Sequence, residues 1–518
     1  MRRQCYSLLL SCLWSILAFA ASDRPNILFY ILDDWGTGHA GAYGCSWVKT
    51  PNFDRVAREG LLFTNAYTPT GKCTPSRSCI MTGRYPWQLG AAANHQCIFP
   101  PELSVFPEVL TQQGGYTYAS CGKVWAPGQA LLANGQRRNL EGKTFNKIHT
   151  PPPATGMSDV DYAANFAAFL QQAPTGQPWF FWLGPAEPHR GYEYGSGVRV
   201  GGKKTSDIDR VPNFLPDNEI VRNDLLDYAL EVEHADAHLG KILQQLETAG
   251  ILDQTLVIVT SDNGMPFPRV KGHAYEATNH LPLAMRWPAG IKNPGRIIRE
   301  FICFTDFAPT FLQAAGVDTA HTPLAPLSGQ SLFDIFQQQP LTRDHVLIGR
   351  ERNDIGRPHD EGYPVRGLVR EHFLYLENAE PSRWPCGNPE TGYLDTDGSP
   401  TKTFILEARR QKGSDPYWQL CFGLRPAVEF YDLQTDPDCV KNLATEAAHQ
   451  KTISQMRTQL WDELRRGGDW RALGHGADYE AFPTADKKNL NFYERYRRGE
   501  KLQTGWVMPG DYEPEPLK

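Results

Sequence analysis

The feature that most constrains the fold is an uninterrupted apolar run, Asn26–Leu32, that stops abruptly on two adjacent carboxylates, Asp33 and Asp34. A strand that is apolar throughout must be covered on both faces, which is the condition of a strand inside a parallel sheet flanked by helices. Its carboxyl end is where open α/β sheets place their ligands. Two further runs obey the same rule: residues 179–183 precede His189-Arg190, and residues 256–260 precede Asp262-Asn263-Gly264. Three buried strands therefore deliver polar groups to one edge of a sheet.

Helical spacing of Leu225, Leu226, Ala229, Val232, Leu239, Ile242, Leu243 and Leu246 predicts a core helix over 221–249, with Gly250 as its stop. His234 and His238 lie one turn apart on it and read as a solvated face rather than a metal pair. From about Gly316 to Pro340 the texture shifts to Pro and Gln. Beyond it, the alternation over 365–376 predicts an antiparallel strand pair, followed by a strand at 428–433, a helix at 447–465 and an extended tail after Asp469. The expected organisation is a signal segment at 1–20, a catalytic domain at 21–345 and a smaller α+β subdomain with its tail at 346–518. The expected fold class is α/β, a large mixed, mostly parallel sheet sandwiched by helices, with an antiparallel sheet in the C-terminal subdomain.

Arg2-Arg3, an apolar stretch centred on residues 8–19, and Ala18-Phe19-Ala20 as a small-x-small site read as an export signal cut near Ala21. Export implies a periplasmic, extracellular or lysosome-type compartment. No other run approaches the roughly 20 apolar residues of a membrane span. A net charge of -6 and a pI near 6.2 exclude a general attraction to nucleic acid or anionic lipid, so an anionic substrate must meet a local cationic pocket. Of the 11 cysteines, Cys5 and Cys12 fall in the signal. Those other than Cys73 could pair as disulfides or stay free, and their wide spacing fixes no connectivity.

Cys73-Thr74-Pro75-Ser76-Arg77, continued by Met81-Thr82-Gly83-Arg84, carries the most chemistry. Pro75 and Ser76 start a helix, which sets the Cys73 side chain beside amide donors that favour an anion. A cysteine there is expected to have a lowered pKa and to be reactive. The bland alternative is a buried cysteine ahead of a helix.

The whole stretch resembles the signature of the formylglycine-dependent sulfatases, Cys-x-Pro-Ser-Arg followed by Thr-Gly-Arg. Thr50-Pro51-Asn52, Gly122-Lys123, Pro188-His189, Asp262-Asn263-Gly264, Tyr275-Glu276 and Arg286-Trp287-Pro288 stand in sulfatase order. The resemblance implies an alkaline-phosphatase-like fold and hydrolysis of a sulfate ester or sulfamate on a sulfated carbohydrate. It also implies oxidation of Cys73 to formylglycine by a separate maturation enzyme. Asp33, Asp34, Asp262 and Asn263, with the modified Cys73, form an oxygen set suited to Ca²⁺ ahead of Mg²⁺. By the same resemblance the hydrated aldehyde is the nucleophile, Asp262 accepts its proton, Arg77 orients it, and Lys123, His189 and Lys271 bind sulfate oxygens.

One departure stands out. Most relatives carry a histidine two or three residues after the lysine matched by Lys123, where this chain has Trp125 and Ala126. His95, His39 and His273 are the candidates to stand in. The run Asp262 to Pro268, Pro188-His189-Arg190 and residues 211–216 resemble the branch containing heparan N-sulfatase, which points to glycosaminoglycan or other polysaccharide substrates. That branch has arginine where Lys271 stands, so an O-sulfated sugar fits equally. Arg352, His359 and Arg366 lie among aromatic residues and are expected to contact the sugar, against the alternative of a salt-bridged strand edge. Two competing functions are a phosphodiesterase or phosphonate monoester hydrolase of the same superfamily, and a sulfated-glycan-binding protein with impaired catalysis.

Overall fold

In the computed structural model, which describes residues 24–517, the run Asn26–Leu32 becomes strand β1, buried at every position after Asn26. The expected export signal and its cut near Ala21 lie outside the described residues. The other strands of its sheet are β2 (Leu61–Phe63), β3 (Thr117–Gly122), β4 (Lys143–Thr144), β5 (Trp179–Gly184), β6 (Thr255–Ser261), β7 (Leu283–Arg286) and β8 (Arg296–Ile298). Their spatial order is β8-β2-β7-β6-β1-β5-β3-β4, and β7 alone runs against the rest. The expected large, mostly parallel sheet is therefore found. β1 lies between β5 and β6, with Leu32 opposite Ser261, so that Asp33 and Asp262 leave the sheet side by side.

The alternation along β1 divides two cores. Leu28, Tyr30 and Leu32 belong to one, with Val232, Leu239 and Ile242 of a long helix; Ile27, Phe29 and Ile31 belong to the other, with Ile80, Phe307 and Phe311. The helices concerned are α1 (Cys73–Thr82), α2 (Glu219–Thr248) and α3 (Phe307–Ala314). Asn218 caps α2 by accepting the Val221 amide, which explains why the helix starts there. His238 does not face solvent as expected but is 2% exposed, its ring edge-on to Tyr162 at 5.3 Å; a helix buried along most of its length leaves little solvated face.

The expected antiparallel sheet comprises β9 (His345–Arg350), β10 (Val365–Arg370), β11 (Phe373–Asn378) and β12 (Val428–Asp432), in that order. Helix α4 (Gln450–Arg466) covers it with Ile453, Met456, Leu460 and Leu464, against Leu368 and Tyr375. The tail beyond Asp469 is not extended. It forms short helices at Asp478–Ala481 and Phe492–Arg497 and is tied down by buried ion pairs, Asp469 to Arg366 and Asp511 to Lys402. Of the two readings of the cysteines, the free one holds: all nine described cysteines are free, eight of them buried. Among the described residues no helix is long and apolar enough to cross a membrane.

Phe29 sits within 5.4 Å of Trp182, Phe307 and Phe311, ring centre to ring centre. Phe29→Ala is expected to lower stability by about 3–5 kcal/mol in denaturant titration. A loss under about 1 kcal/mol would show that this core can collapse around the gap.

Candidate active site

Four adjacent strands, β6, β1, β5 and β3, end at one edge, and the chain places charged groups just beyond each end. Asp33 and Asp34 follow β1, Asp262 and Asn263 follow β6, Lys123 follows β3, and His189 lies on the segment after β5. Gly122 makes this convergence possible: its φ is 75°, and a Cβ there would stand 2.1 Å from the Gly184 carbonyl oxygen at the end of β5. Asp34, although not glycine, is also left-handed at φ 77°, its amide donating to Asp262 Oδ1 at 3.1 Å. Such a conformation persists only where the surroundings enforce it.

Helix α1 runs into this edge. Its N-cap is Lys72, so it starts two residues earlier than Pro75 and carries Cys73 in its first turn. Ser76 Oγ donates to the Asp262 carbonyl at 2.6 Å. Arg77, wholly buried, donates from Nε to Asp262 Oδ2 at 2.7 Å and from Nη1 to the carbonyls of Lys123 and Val124, and its Nη2 lies 3.7 Å from Asp33 Oδ1. One guanidinium thus binds the ends of three strands.

The expectation of a lowered Cys73 pKa is overturned. Cys73 is 1% exposed, and burial pushes its thiol well above the ordinary value; Asp33 and Asp262 reinforce this against the opposing pull of Lys123 and Lys271. A thiolate in this position would sit among carboxylates with no water to stabilise it.

Asp33, Asp34 and Asp262 each bring an oxygen within 4.8 Å of the other two, in a wholly buried setting. Burial would raise the Asp33 carboxyl, but Lys123, His189, Arg77 and Lys271 outweigh it and hold it well below the usual carboxylate range. Asp262 goes the other way: burial, with repulsion from Asp33 and Asp34, pushes it up to about 7 despite Arg77 and Lys123. Asn263 Nδ2 donates to Asp34 Oδ1 at 2.7 Å, which sets this side chain against the carboxylates; Asn263 Oδ1 and Asp33 Oδ1 are both buried without a hydrogen-bond donor. Orphaned buried acceptors beside crowded carboxylates fit a hard cation with oxygen ligands.

The cationic groups close the other side. Lys123 Nζ donates to Asp33 Oδ2 at 2.6 Å, and its pKa rises to about 12 because Asp33 and Cys73 outweigh the effect of burial. Lys271 Nζ donates to Asp34 Oδ2 at 2.7 Å and to Asp397 Oδ2 at 2.9 Å. His189 is the histidine brought to Cys73: a ring nitrogen, Cys73 Sγ and an Asp33 oxygen lie within 4.8 Å of one another, while its Nε2 is 3.9 Å from Asp34 Oδ2. Its side chain is 37% exposed, so it is the side of the cluster that reaches solvent.

The proposed stand-ins for the missing histidine have other partners. His39 Nδ1 bonds Tyr228 Oη, His273 Nε2 faces Cys386 Sγ at 3.2 Å, and His95 Nδ1 bonds Asp354 at 2.8 Å. Trp125 fills space near α1, its indole N–H donating to Ser78 Oγ. Of the residues expected to contact sugar, Arg366 is 2% exposed and paired with Glu351 and Asp469, and Arg352 donates to the carbonyls of Glu480 and Phe482. His359, by contrast, is exposed and 3.6 Å from Glu494. None of the three is brought into the cluster of carboxylates and cations.

Three groups of the cluster escaped sequence reasoning: Lys72, Asp354 and Asp397. Lys72 pairs with Asp354 at 2.9 Å, one residue before Cys73. Asp397 is held far below the usual carboxylate range: burial opposes this, but Lys271, Lys72 and His189 prevail. The neighbouring Asp395 and Asp397 in the segment after Trp384 were a signal of a kind, a run of carboxylates with no strand pattern around them.

Burial makes a direct prediction for the unconverted cysteine. Iodoacetamide at pH 8 should modify Cys73 at least about a hundredfold more slowly in the native than in the urea-unfolded chain, followed by peptide mass spectrometry. Equal rates would mean that the thiol is open to solvent.

Comparison with known proteins places this geometry in context. The sulfatase family profile matches residues 25–317. N-sulphoglucosamine sulphohydrolase of Homo sapiens is 27% identical over 485 residues, covering 84% of this chain and 89% of that protein. An ulvan-active sulfatase of Formosa agariphila is 26% identical over 480 residues, covering 86% of this chain and 76% of that one. The crystal structure of a phosphonate monoester hydrolase of Agrobacterium radiobacter superposes with a TM-score of 0.61 at 18% identity, covering 86% of this chain and 97% of that one.

Proposed function

The chain belongs to the sulfatase family and is a sulfuric ester hydrolase; from that premise we propose that it releases sulfate from a sulfated carbohydrate, with Cys73 oxidised to formylglycine and Ca²⁺ held by Asp33, Asp34, Asp262 and Asn263. The observation that carries this reading is the pair of orphaned oxygens, Asp33 Oδ1 and Asn263 Oδ1, in a buried acidic cluster next to Cys73. When present, the cation supplies positive charge for the sulfate oxygens and the hydrated aldehyde supplies the attacking oxygen.

The chain's own residues do the rest. Arg77, fixed between Asp262 and the Lys123 carbonyl, orients the residue at position 73 from within the same helix. The Asp262 carboxylate takes the proton of the attacking hydroxyl. Lys123 and Lys271 hold sulfate oxygens at fixed positions, since each ammonium is already anchored to a carboxylate and needs no reorganisation. His189, at the open side, protonates the departing sugar oxygen or nitrogen. Its closeness to Cys73 also makes it the group that handles protons in place of the histidine absent at Trp125 and Ala126, which argues against a binding protein without catalysis.

Relatives named for N-sulphoglucosamine and ulvan support a polysaccharide-derived substrate, and a sulfated glycosaminoglycan unit is the class proposed. His359 remains the one accessible member of the expected sugar contacts. Export to an oxidising or extracytoplasmic compartment and prior action of a maturation enzyme belong to the same reading.

The decisive experiment is a panel of 2-N-, 2-O- and 6-O-sulfated mono- and disaccharides beside matched phosphate diesters and phosphonate monoesters, after mass spectrometry confirms the aldehyde at position 73. Sulfate release from at least one sugar is expected, with Cys73→Ala reducing it by about a thousandfold or more. Faster turnover of phosphonate or phosphate diester would overturn the assignment.

Metal removal provides a separate check. Chelation should abolish sulfate release and lower the thermal midpoint, because a ligand that binds the folded chain is then lost and the repulsion among the three carboxylates is offset by Arg77, Lys123 and Lys271 alone. Ca²⁺ should restore both more fully than Mg²⁺ at equal concentration.

A further inference from the structure

A small cavity lies between the antiparallel sheet and the segment that follows Lys271. Its walls include His273, Tyr275, Arg350, Tyr363, Arg425 and Glu429, and its volume is about 10 Å³. That is room for the centre of one water-sized sphere. None of the six side chains is more than 8% exposed.

Three polar atoms of this wall, Arg350 Nη1, Arg425 Nε and Tyr363 Oη, are buried and make no hydrogen bond. The remaining bonds of the two guanidiniums go to carbonyl oxygens: Arg350 to Tyr363 and Pro385, Arg425 to Gln419 and Leu420. Arg269 stacks on the same Tyr275 ring at 4.1 Å and likewise bonds only the carbonyls of Leu420 and Cys439. Among the described residues, none of these three arginines has a carboxylate as a hydrogen-bond partner. Glu429, the carboxylate of the wall, is already occupied by Tyr275, Tyr431 and Asn378 at 2.9, 2.6 and 2.8 Å. Burial and the surrounding arginines together hold His273 well below its ordinary pKa, a sign of how positive the space is.

The carboxylates that act on these three guanidiniums are Glu429, on Arg269 and Arg425, and Asp395, on Arg350, so positive charge is in excess, and unbalanced buried charge is destabilising. The orphaned atoms are two guanidinium N–H groups and a phenol, all able to donate, so a guest that accepts from all three and donates nothing is the chemical match. Water would accept only two such bonds and, although Glu429 and the Pro385 carbonyl could take its hydrogens, would leave the charge in place. We propose that the cavity is a site for one small monoatomic anion of the halide class, held by Arg350, Arg425 and Tyr363. The bound ion joins β9 to Tyr363 and the Arg425 loop, beside His273 and Tyr275, which stand two and four residues after Lys271 in the chain.

Crystals grown in chloride and measured at a long wavelength, where chlorine scatters anomalously, test the site directly. The expected result is an anomalous peak within hydrogen-bond reach of Arg350 Nη1, Arg425 Nε and Tyr363 Oη. Density there without anomalous signal identifies water and overturns the proposal. In solution, replacing gluconate by chloride at constant ionic strength should raise the folded-to-unfolded ratio in a saturable way, by about a hundredfold at a hundredfold excess over Kd. Tyr363→Phe, which removes one donor and no charge, should weaken the apparent chloride affinity. An unfolding midpoint that does not distinguish chloride from gluconate in the unmodified chain also overturns the proposal. Neither outcome depends on the assignment of substrate or on conversion of Cys73.

Discussion

The buried guanidinium of Arg77 is the interaction on which the site depends. It lies in helix α1, yet its bonds go to the ends of β6 and β3 and its third nitrogen faces the end of β1. The sheet contributes parallel strands with carboxylates at their tips, an arrangement that is electrostatically unfavourable by itself. Arg77 supplies one positive charge in the middle of that group, and so couples the helix that carries Cys73 to the strands that carry the acids. Being planar and forked, it can satisfy several acceptors at set angles, which a lysine in the same place could not.

The rest of the cluster follows the same logic of paired burial. Each carboxylate that is pulled below its ordinary range has an ammonium against it, Asp33 with Lys123 and Asp397 with Lys271. Asp262, which shares its partner with others, is the one pushed upward. A cation placed among Asp33, Asp34 and Asp262 would relieve that imbalance, and the oxygens left without donors mark where it would be felt.

Much of this was legible in the sequence because it is local. A strand buried on both faces announces itself as an unbroken apolar run, and Asp33-Asp34 and Asp262-Asn263 sit directly at the ends of such runs. The pairing of β1 with β6 then needed only the topology of a parallel sheet. Illegible were the groups whose place is fixed by docking of distant segments: Lys72 with Asp354 and Lys271 with Asp397 meet across long stretches of chain, and no spacing rule links them. Arg366 illustrates the opposite failure. Cations among aromatics suit a sugar surface, but the same composition arises when a sheet edge buries its arginines against Glu351 and Asp469. His238 was misplaced because its position on the helix suggested solvent where the neighbouring Tyr162 provides a cover.

The late-arriving carboxylates carry a consequence in time. Cys73 enters the chain early, but the walls around it are finished by residues 354 and 397, and those in turn rest on a tail anchored through Asp511 to Lys402. Residues as far along the chain as 397 must therefore leave the ribosome before the pocket can close. Until then the cysteine is uncovered, and afterwards it is 1% exposed and can be approached only past His189. The distance along the chain between the first and last pieces of the site acts as a timer, setting how long position 73 stays open to chemistry before the fold withdraws it.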